Sequence, residues 1–398
     1  MKNNRTFLEK LLDGAEVEWK PLKDVAEYIR GVTYNKANES TNNIGYKVLR
    51  ANNITLSGNT LNFDDIKVIK FDTKVKSSQM LYKNDILISA ASGSREHVGK
   101  VAFIYQDIDY YFGGFMGVIR CNNNVNSRYL FHIFTSSIFQ DYLNEVLNSS
   151  TINNLNSKVM DSFRLPIPPL SVQTEIVKIL DALTALTSEL TSELTSELIL
   201  RRKQYEYYRE KLLSEEELGK VGFEWKSLGE VTNIKTGQAV SKYSISQNPG
   251  IYPVINSGRE PLGFINEWNT ENDPIGITTR GAGVGSITWQ EGKYFRGNLN
   301  YSVTVKSDYK LNVRFLYHIL LHFQKEIHNL CSFTGIPALN ASELKKLEIS
   351  IPAIEEQQRI VSILDKFETL TNSITEGLPL AIEQSQKRYE YYRELLLS

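Results

Sequence analysis

The feature that most constrains this chain is that it contains itself twice. Leu165–Asp181 reads LPIPPLSVQTEIVKILD, and Ile349–Asp365 reads ISIPAIEEQQRIVSILD, 184 residues later. Ile167, Pro168, Gln173, Ile176, Val177, Ile179, Leu180 and Asp181 recur as Ile351, Pro352, Gln357, Ile360, Val361, Ile363, Leu364 and Asp365. Tyr205–Glu210 (YEYYRE) returns as Tyr389–Glu394 at the same offset of 184. Upstream, Val17–Leu22 (VEWKPL) matches Phe223–Leu228 (FEWKSL), and Gly31 matches Gly237, at an offset of 206. Self-similarity on this scale means two copies of one architecture in tandem. At roughly 100–200 residues per domain, 398 residues accommodate two such copies.

Between the repeated edges lie two regions that share little, about 31–164 and 237–348. They keep only faint anchors: Leu155–Asn156 with Leu339–Asn340, and Leu130 and His132 with Leu316 and His318. Asp85–Ser89 and Val101–Tyr105 in the first region, and Pro274–Thr279 and Ser286–Trp289 in the second, are short β-rich runs separated by Gly-rich turns. Arg128–Leu147 and Val313–Leu330 have helical spacing of apolar residues. The expected fold class is α+β: two tandem, mainly β modules joined by two long antiparallel helices that form a coiled coil. The expected boundaries are 1–170, 171–214, 215–354 and 355–398.

After the first Pro-rich edge, Ser171 is a candidate N-cap. A helix from Ser171 to Ser214 would run about 65 Å at ~1.5 Å per residue. Within it Thr187–Leu198 reads TSEL three times, and Leu186, Leu190, Leu194 and Leu198 recur every four residues. A step of four advances about 400°, so this stripe drifts ~40° per repeat and could wind as an apolar seam. The second copy has no tetrad, yet Asp365 stands 24 residues before Tyr389, just as Asp181 stands 24 before Tyr205. Length itself is therefore constrained. Gly377 and Pro379 should interrupt the second helix.

Chemistry for catalysis is missing from the sequence. Gly93–Lys100 (GSREHVGK) approaches a P-loop, but its glycine spacing is wrong and Val101 replaces the Ser/Thr. Arg280–Gly285 (RGAGVG) lacks the strand–turn–helix setting of a dinucleotide loop. Five histidines show no metal-ligand spacing, and no nucleophile–base pair stands out. Cys121 and Cys331, far apart in sequence, suit a reducing compartment better than a disulfide framework. With no signal-like or ~18-residue apolar run, the expected location is the cytoplasm.

Net charge is −1, which argues against a strongly basic DNA binder taken whole. Split by segment the picture changes. Residues 31–164 carry 14 Lys+Arg against 11 Asp+Glu, and residues 237–348 carry 11 against 9. The acidity lies in the edges and helices. Three function classes remain open on residues alone: a recognition adaptor, an enzyme, and a duplicated protein scaffold.

The duplicated Glu18–Trp19 and Glu224–Trp225 starts, the Ile-Pro edges followed by Gln and IVxILD, the Lys203–Ser214 and Lys387–Ser398 endings, the Ile374–Pro379 segment and the TSEL tetrads together resemble the specificity subunit of type I restriction–modification enzymes, over the whole chain. The resemblance implies a non-catalytic subunit whose two variable regions each read half of a bipartite, asymmetric site in double-stranded DNA. It implies that the helices set the spacer and dock two adenine methyltransferase subunits. Two translocating nuclease subunits would complete the complex. S-adenosylmethionine, ATP and Mg²⁺ would serve those partners, with no cofactor in this chain.

Base reading needs Arg, Lys, Asn, Gln or Ser on loops that reach a groove. In the first region the candidates are Arg50, Asn52, Asn53, Ser92, Arg95, His97 and Lys100, with Asn154 and Asn156 at its edge. In the second they are Arg280, Arg296, Asn298 and Asn300, with Asn340 and Lys345 at its edge. Tyr205, Tyr208, Arg209, Tyr389, Tyr392 and Arg393 are expected to pack the helices or meet a partner protein, because tyrosine suits half-buried interfaces.

Overall fold

The computed structural model describes every residue except 1–10, 56–57, 149–153, 259, 374–375 and 398. Ile374 and Thr375 of the Ile374–Pro379 segment therefore lie outside the described residues.

The repeated edges pair with each other and close each copy. Strand Glu18–Pro21 runs antiparallel to Arg164–Ile167, with Glu18 opposite Ile167 and Trp19 opposite Pro166. Strand Phe223–Ser227 runs antiparallel to Glu348–Pro352, with Glu224 opposite Ile351 and Trp225 opposite Ser350. The two registers superpose under the sequence offsets of 206 and 184. A shared register in a pair buried on one side fixes which side chains face inward.

Inside each frame sits a four-stranded sheet of the same order. In the first copy the order is Ala26–Arg30, Met116–Cys121, Ile86–Ser89, Val101–Phe103. In the second it is Thr232–Thr236, Asn300–Val305, Ile275–Thr278, Ile287–Trp289. Each also has a second sheet, four-stranded in the first copy and three-stranded in the second, with one parallel pair: Tyr46–Leu49 with Ile108–Phe112, and Pro249–Ile255 with Phe295–Arg296. Leu87, Ile88 and Ile119 in one copy, and Ile275, Ile277 and Val303 in the other, are buried among the strands. Each such side chain contributes roughly 1.5–3 kcal/mol by leaving water. The expected helical spans resolve into Ser127–Thr135 with Ser137–Asn148, and Val313–His322 with Gln324–Asn329.

One junction is too tight for any side chain. A Cβ on Gly31 would lie 2.1 Å from the Gly113 carbonyl oxygen, and one on Gly237 would lie 2.3 Å from the Gly297 carbonyl oxygen. Glycine recurs here because two backbones touch.

The central helix is continuous from Leu170 to Leu212, and the second helical segment comprises Ile354–Asn372 and Leu378–Leu397. Gly377 adopts φ +88° at the interruption, and Pro379 enters the first turn of the next helix, where its missing N–H costs nothing. Two compact units result. The first comprises Met1–Ser192 with Ile382–Ser398, and the second comprises Glu193–Ala381. In the first unit Leu396 and Leu397 join the core around Ile176 and Leu180, and Thr184 Oγ1 donates to Tyr389 Oη at 3.1 Å. In the second, Tyr208 stacks on Phe367 at 5.4 Å while Leu213 shares a core with Ile360 and Leu364. Each unit thus holds an antiparallel helix pair.

Two expectations about the central helix need correction. Ser171 is not the N-cap: the helix starts at Leu170, and Gln173 N already donates to the Pro169 carbonyl. Nor do the tetrad leucines form one seam. Leu186 and Leu190 are 62 % and 43 % exposed, while Thr187, Thr191, Leu194 and Leu198 are half-buried. The half-buried positions 184, 187, 191, 194, 198 and 201 lead to buried Tyr205 in alternating steps of three and four. That is a heptad spacing of 3.5. A period of four slides across it, so leucine enters the stripe late and threonine fills it earlier.

Candidate nucleic-acid interface

The repeated polar residues do frame work. Gln173 Nε2 donates to the Pro168 carbonyl, and its Oε1 accepts from Asn126 N at 2.8 Å. Gln357 repeats both bonds with Pro352 and Asn312 N. Asn126 and Asn312 in turn cap their helices by accepting from Arg128 and Tyr129, and from Arg314 and Phe315.

One helical turn further, a charged clamp forms. Arg128 Nε and His132 Nε2 both donate to Asp181 Oδ1, at 2.8 and 3.0 Å. Arg314 Nε and His318 Nε2 both donate to Asp365 Oδ1, at 2.8 Å each. Burial opposes ionisation of Asp181, but its bonds to His132 and Arg128 outweigh this and hold its carboxyl below the ordinary range. Asp365 is lowered in the same way, burial being overcome by His318 and Arg314. Burial pulls the His132 imidazole below its usual value, against the bond from Asp181. His318 gains a partner on its other nitrogen. Burial pushes the Tyr205 phenol up to about 12, so it stays protonated and donates to Nδ1 at 3.3 Å. His318, Asp365 and Glu368 place ligand atoms within 4.8 Å of one another. Arg314 already bridges the two carboxylates, with Nη2 2.7 Å from Glu368, so this group is an ion-pair cluster rather than a cation site.

The frame presents the same loop in both copies. Ala90 N donates to the Phe115 carbonyl at 2.8 Å, and the Ala90 carbonyl accepts from Leu155 N at 2.7 Å. Thr279 N donates to the Leu299 carbonyl, and the Thr279 carbonyl accepts from Leu339 N, both at 2.9 Å. Ser92–Lys100 and Arg280–Gly285 are therefore one structural loop with two unrelated sequences. Ser92 is half-buried and its Oγ accepts from Ser94 N. Arg95 is exposed, with one reach to Asn144 Oδ1 at 3.4 Å. His97 is half-buried beside Glu96. Lys100 donates to the Ile54 carbonyl, and desolvation lowers its ammonium pKa. The loop runs into a strand, Val101–Phe103, not a helix, so the P-loop likeness ends there. Arg280 and Asn298 are exposed.

Several candidates do not face outward. Arg296 is 3 % exposed and donates to the carbonyls of Asp273, Ile275 and Tyr301, to Asn300 Oδ1 and to the Tyr294 hydroxyl. Its fork organises the sheet edge, and Asn300 is fully buried with it. Asn53 is likewise buried and donates to the carbonyls of Asn62 and Asp65. Arg50 and Asn52 reach the Asp65 carboxylate at 2.7 and 2.9 Å, which neutralises that arm. Asn154 Oδ1 accepts from Arg30, and Asn156 caps Ser157–Ser162 through Val159 N. Asn340 and Lys345 are exposed at the ends of the Ala341–Leu344 turn. Buried polar residues inside a Gly-rich turn cannot be told from exposed ones by sequence.

On the helices, Tyr205 is buried, Tyr389 is half-buried, and Arg209 and Arg393 pair with Glu210 and Glu394. Tyr207 and Tyr208 are exposed, as are their repeats Tyr391 and Tyr392. Trp19 and Trp225 on the frame strands are exposed to similar degrees, 50 % and 45 %. Large apolar side chains left open at matching places in two copies mark contact surfaces. Phe115, Phe333 and Ile336 are also exposed beside these two loops and carry no signal in a residue-type search for hydrogen-bonding groups.

The type I restriction–modification DNA specificity domain matches residues 15–199 and again 220–384. A Haemophilus influenzae protein provisionally named a type I restriction enzyme specificity subunit is 40 % identical over 419 residues, with both chains covered in full. The EcoR124I/EcoR124II specificity subunit of Escherichia coli is 32 % identical over 438 residues, covering 99 % of this chain and 97 % of that one. The chain belongs to the specificity subunits of type I restriction–modification systems. Its fold agrees: a chain from a study of type I complex assembly aligns at TM-score 0.65 and 17 % identity, covering 96 % of this chain and 97 % of that chain. This specificity subunit carries two tandem DNA specificity domains, and no helix among its described residues is long and apolar enough to cross a membrane.

Proposed function

We propose that this specificity subunit reads a bipartite DNA site, one half with each variable module, and performs no chemistry itself. The observation that carries this reading is the equivalence of Ser92–Lys100 and Arg280–Gly285. An invariant frame holds one loop position in two copies, and only the loop sequences diverge. Arg95, Arg280 and Asn298 are exposed on or beside these loops and suited to base edges or phosphates, with exposed Asn340 and Lys345 at the edge of the second module. The positive bias of both modules supports the same assignment.

The matching Trp–Tyr surfaces suit two copies of one partner, an adenine methyltransferase subunit. S-adenosylmethionine would be bound by that partner, and ATP and Mg²⁺ by two translocating nuclease subunits. The setting is the cytoplasm, where DNA and these partners meet. Methylome sequencing of a host expressing the subunit with its methyltransferase tests the proposal. The expected motif has two specific halves, each with one methylated adenine, around a fixed non-specific spacer. Replacing residues 91–99 should alter one half only. A single uninterrupted motif, or a change in both halves, would refute it.

A further inference from the structure

Beside Arg280 stands a short hairpin that polar readout does not explain. Ser332 N donates to the Ala338 carbonyl at 2.8 Å, and Ala338 N returns the bond to Ser332 at 3.0 Å. Gly281 N donates to the Pro337 carbonyl at 3.1 Å, so the hairpin is tied to the reading loop itself. Gly335 turns the tip at φ +84°, a conformation that other residues adopt only with strain. The scaffold is thus pre-organised, yet its tip is apolar and open. Ile336 is 74 % exposed and Phe333 is 54 % exposed, the latter touching only the His328 ring among described aromatics.

The electrostatic setting selects the occupant. Residues 274–290 contain a single charged side chain, Arg280, and residues 327–342 contain no Asp, Glu, Lys or Arg. Two segments without an acid, one of them carrying exposed Arg280, suit a polyanion. Phe, Ile and Pro are the residues that unstack base steps when inserted into a groove. A rigid hairpin loses little order on insertion.

We propose that Ser332–Ala338 is an apolar wedge: Ile336, backed by Phe333, enters a base step of the second half-site while Arg280 holds the adjoining phosphates. This deepens the DNA-reading assignment of the second module and rests on it. Sequence preference would then include steps that unstack easily, without a hydrogen bond to them.

The test uses the subunit in complex with its methyltransferase and duplexes carrying the methylome-defined site, with 2-aminopurine placed at successive positions of the second half-site other than the methylated adenine. The wild-type complex should brighten one such position. Phe333→Ser combined with Ile336→Ser should abolish that signal and weaken binding about tenfold or more, with methyltransferase co-purification unchanged. Arg280→Ala should weaken binding and reduce its salt dependence but keep the signal. If the double variant keeps the signal or the affinity while Arg280→Ala weakens binding, the wedge is wrong and DNA reading by this face stands. If Arg280→Ala has no effect either, this face does not meet DNA. Loss of methyltransferase co-purification in the double variant would make the hairpin a protein contact and overturn the proposal.

Discussion

Removing one carboxylate from each clamp should not cost the two units equally. In Asp365→Ala, fully buried His318 loses the acceptor of its Nε2–H. Arg314 keeps its bond to Glu368 at 2.7 Å, so its charge stays paired. An unmet buried donor costs roughly 1–3 kcal/mol. Asp365 is 38 % exposed, so water screens part of the ion pair, and about 2 kcal/mol is expected. In Asp181→Ala the residue that corresponds to Glu368 is Thr184, so Arg128 is left without a carboxylate partner among the described residues as well. Asp181 is itself 40 % exposed, so its pair is screened as well, but Arg128 is only 15 % exposed and its charge is left unpaired in addition to the His132 donor, so about 3 kcal/mol is expected. Two units in one chain make a single unfolding midpoint ambiguous. Native-state hydrogen exchange on peptides covering Ser127–Thr135 and Val313–His322 separates them. Protection should fall about 140-fold in the first for Asp181→Ala and about 30-fold in the second for Asp365→Ala, at 1.4 kcal/mol per tenfold. Equal losses, or a larger loss in the second unit, would show that Glu368 does not share the load.

Other outcomes follow from the same geometry. His132 has a depressed folded pKa, so its contribution is complete above the unfolded value near 6.5 and declines as pH falls below it; protection in the first unit, relative to intrinsic exchange at each pH, should fall between about pH 7 and 5, and His132→Gln should flatten that dependence. Asp181 and Asp365 act in a lower window, holding stability above about pH 4 and losing it as pH falls through their lowered pKa values. Gly237→Ala should destabilise the second unit by about 2–3 kcal/mol, because its Cβ would press on the Gly297 and Arg296 carbonyls, and thermal unfolding would register it. Deleting Thr191–Leu194 shortens the helix by about 6 Å and should narrow the methylated spacer by one to two base pairs with both halves intact; an unchanged spacer refutes the ruler. Tyr391→Ala with Tyr392→Ala should reduce methyltransferase retained per subunit without altering hydrogen exchange in the core.

The duplicated architecture was legible because its edges are written twice, and the structure turns those repeats into paired strands, bridging glutamines and clamps. The recurrence of Asp181 as Asp365 and of His132 as His318 was visible, but not that each histidine meets its own aspartate, since the partners lie 49 and 47 positions apart. Ser92–Lys100 and Arg280–Gly283 were singled out by glycine and cation content. Arg296, Asn300 and Asn53 were misread for the same reason, because an arginine beside a glycine looks alike whether it points at solvent or gathers carbonyls. The tetrad was plain, while the 3.5-residue burial period beneath it emerges only when the helix has something to pack against.

The order of synthesis gives the C-terminal helix a further meaning. The second unit is one unbroken stretch, complete once residue 381 has emerged. The first unit begins the chain yet needs Ile382–Ser398 to finish it. At about 5–20 residues per second, Ile176 and Leu180 wait roughly 10–40 s for Leu396 and Leu397 to cover them. The half that is made first is therefore the half that is sealed last, and a chain cut short near its end would leave that apolar floor open.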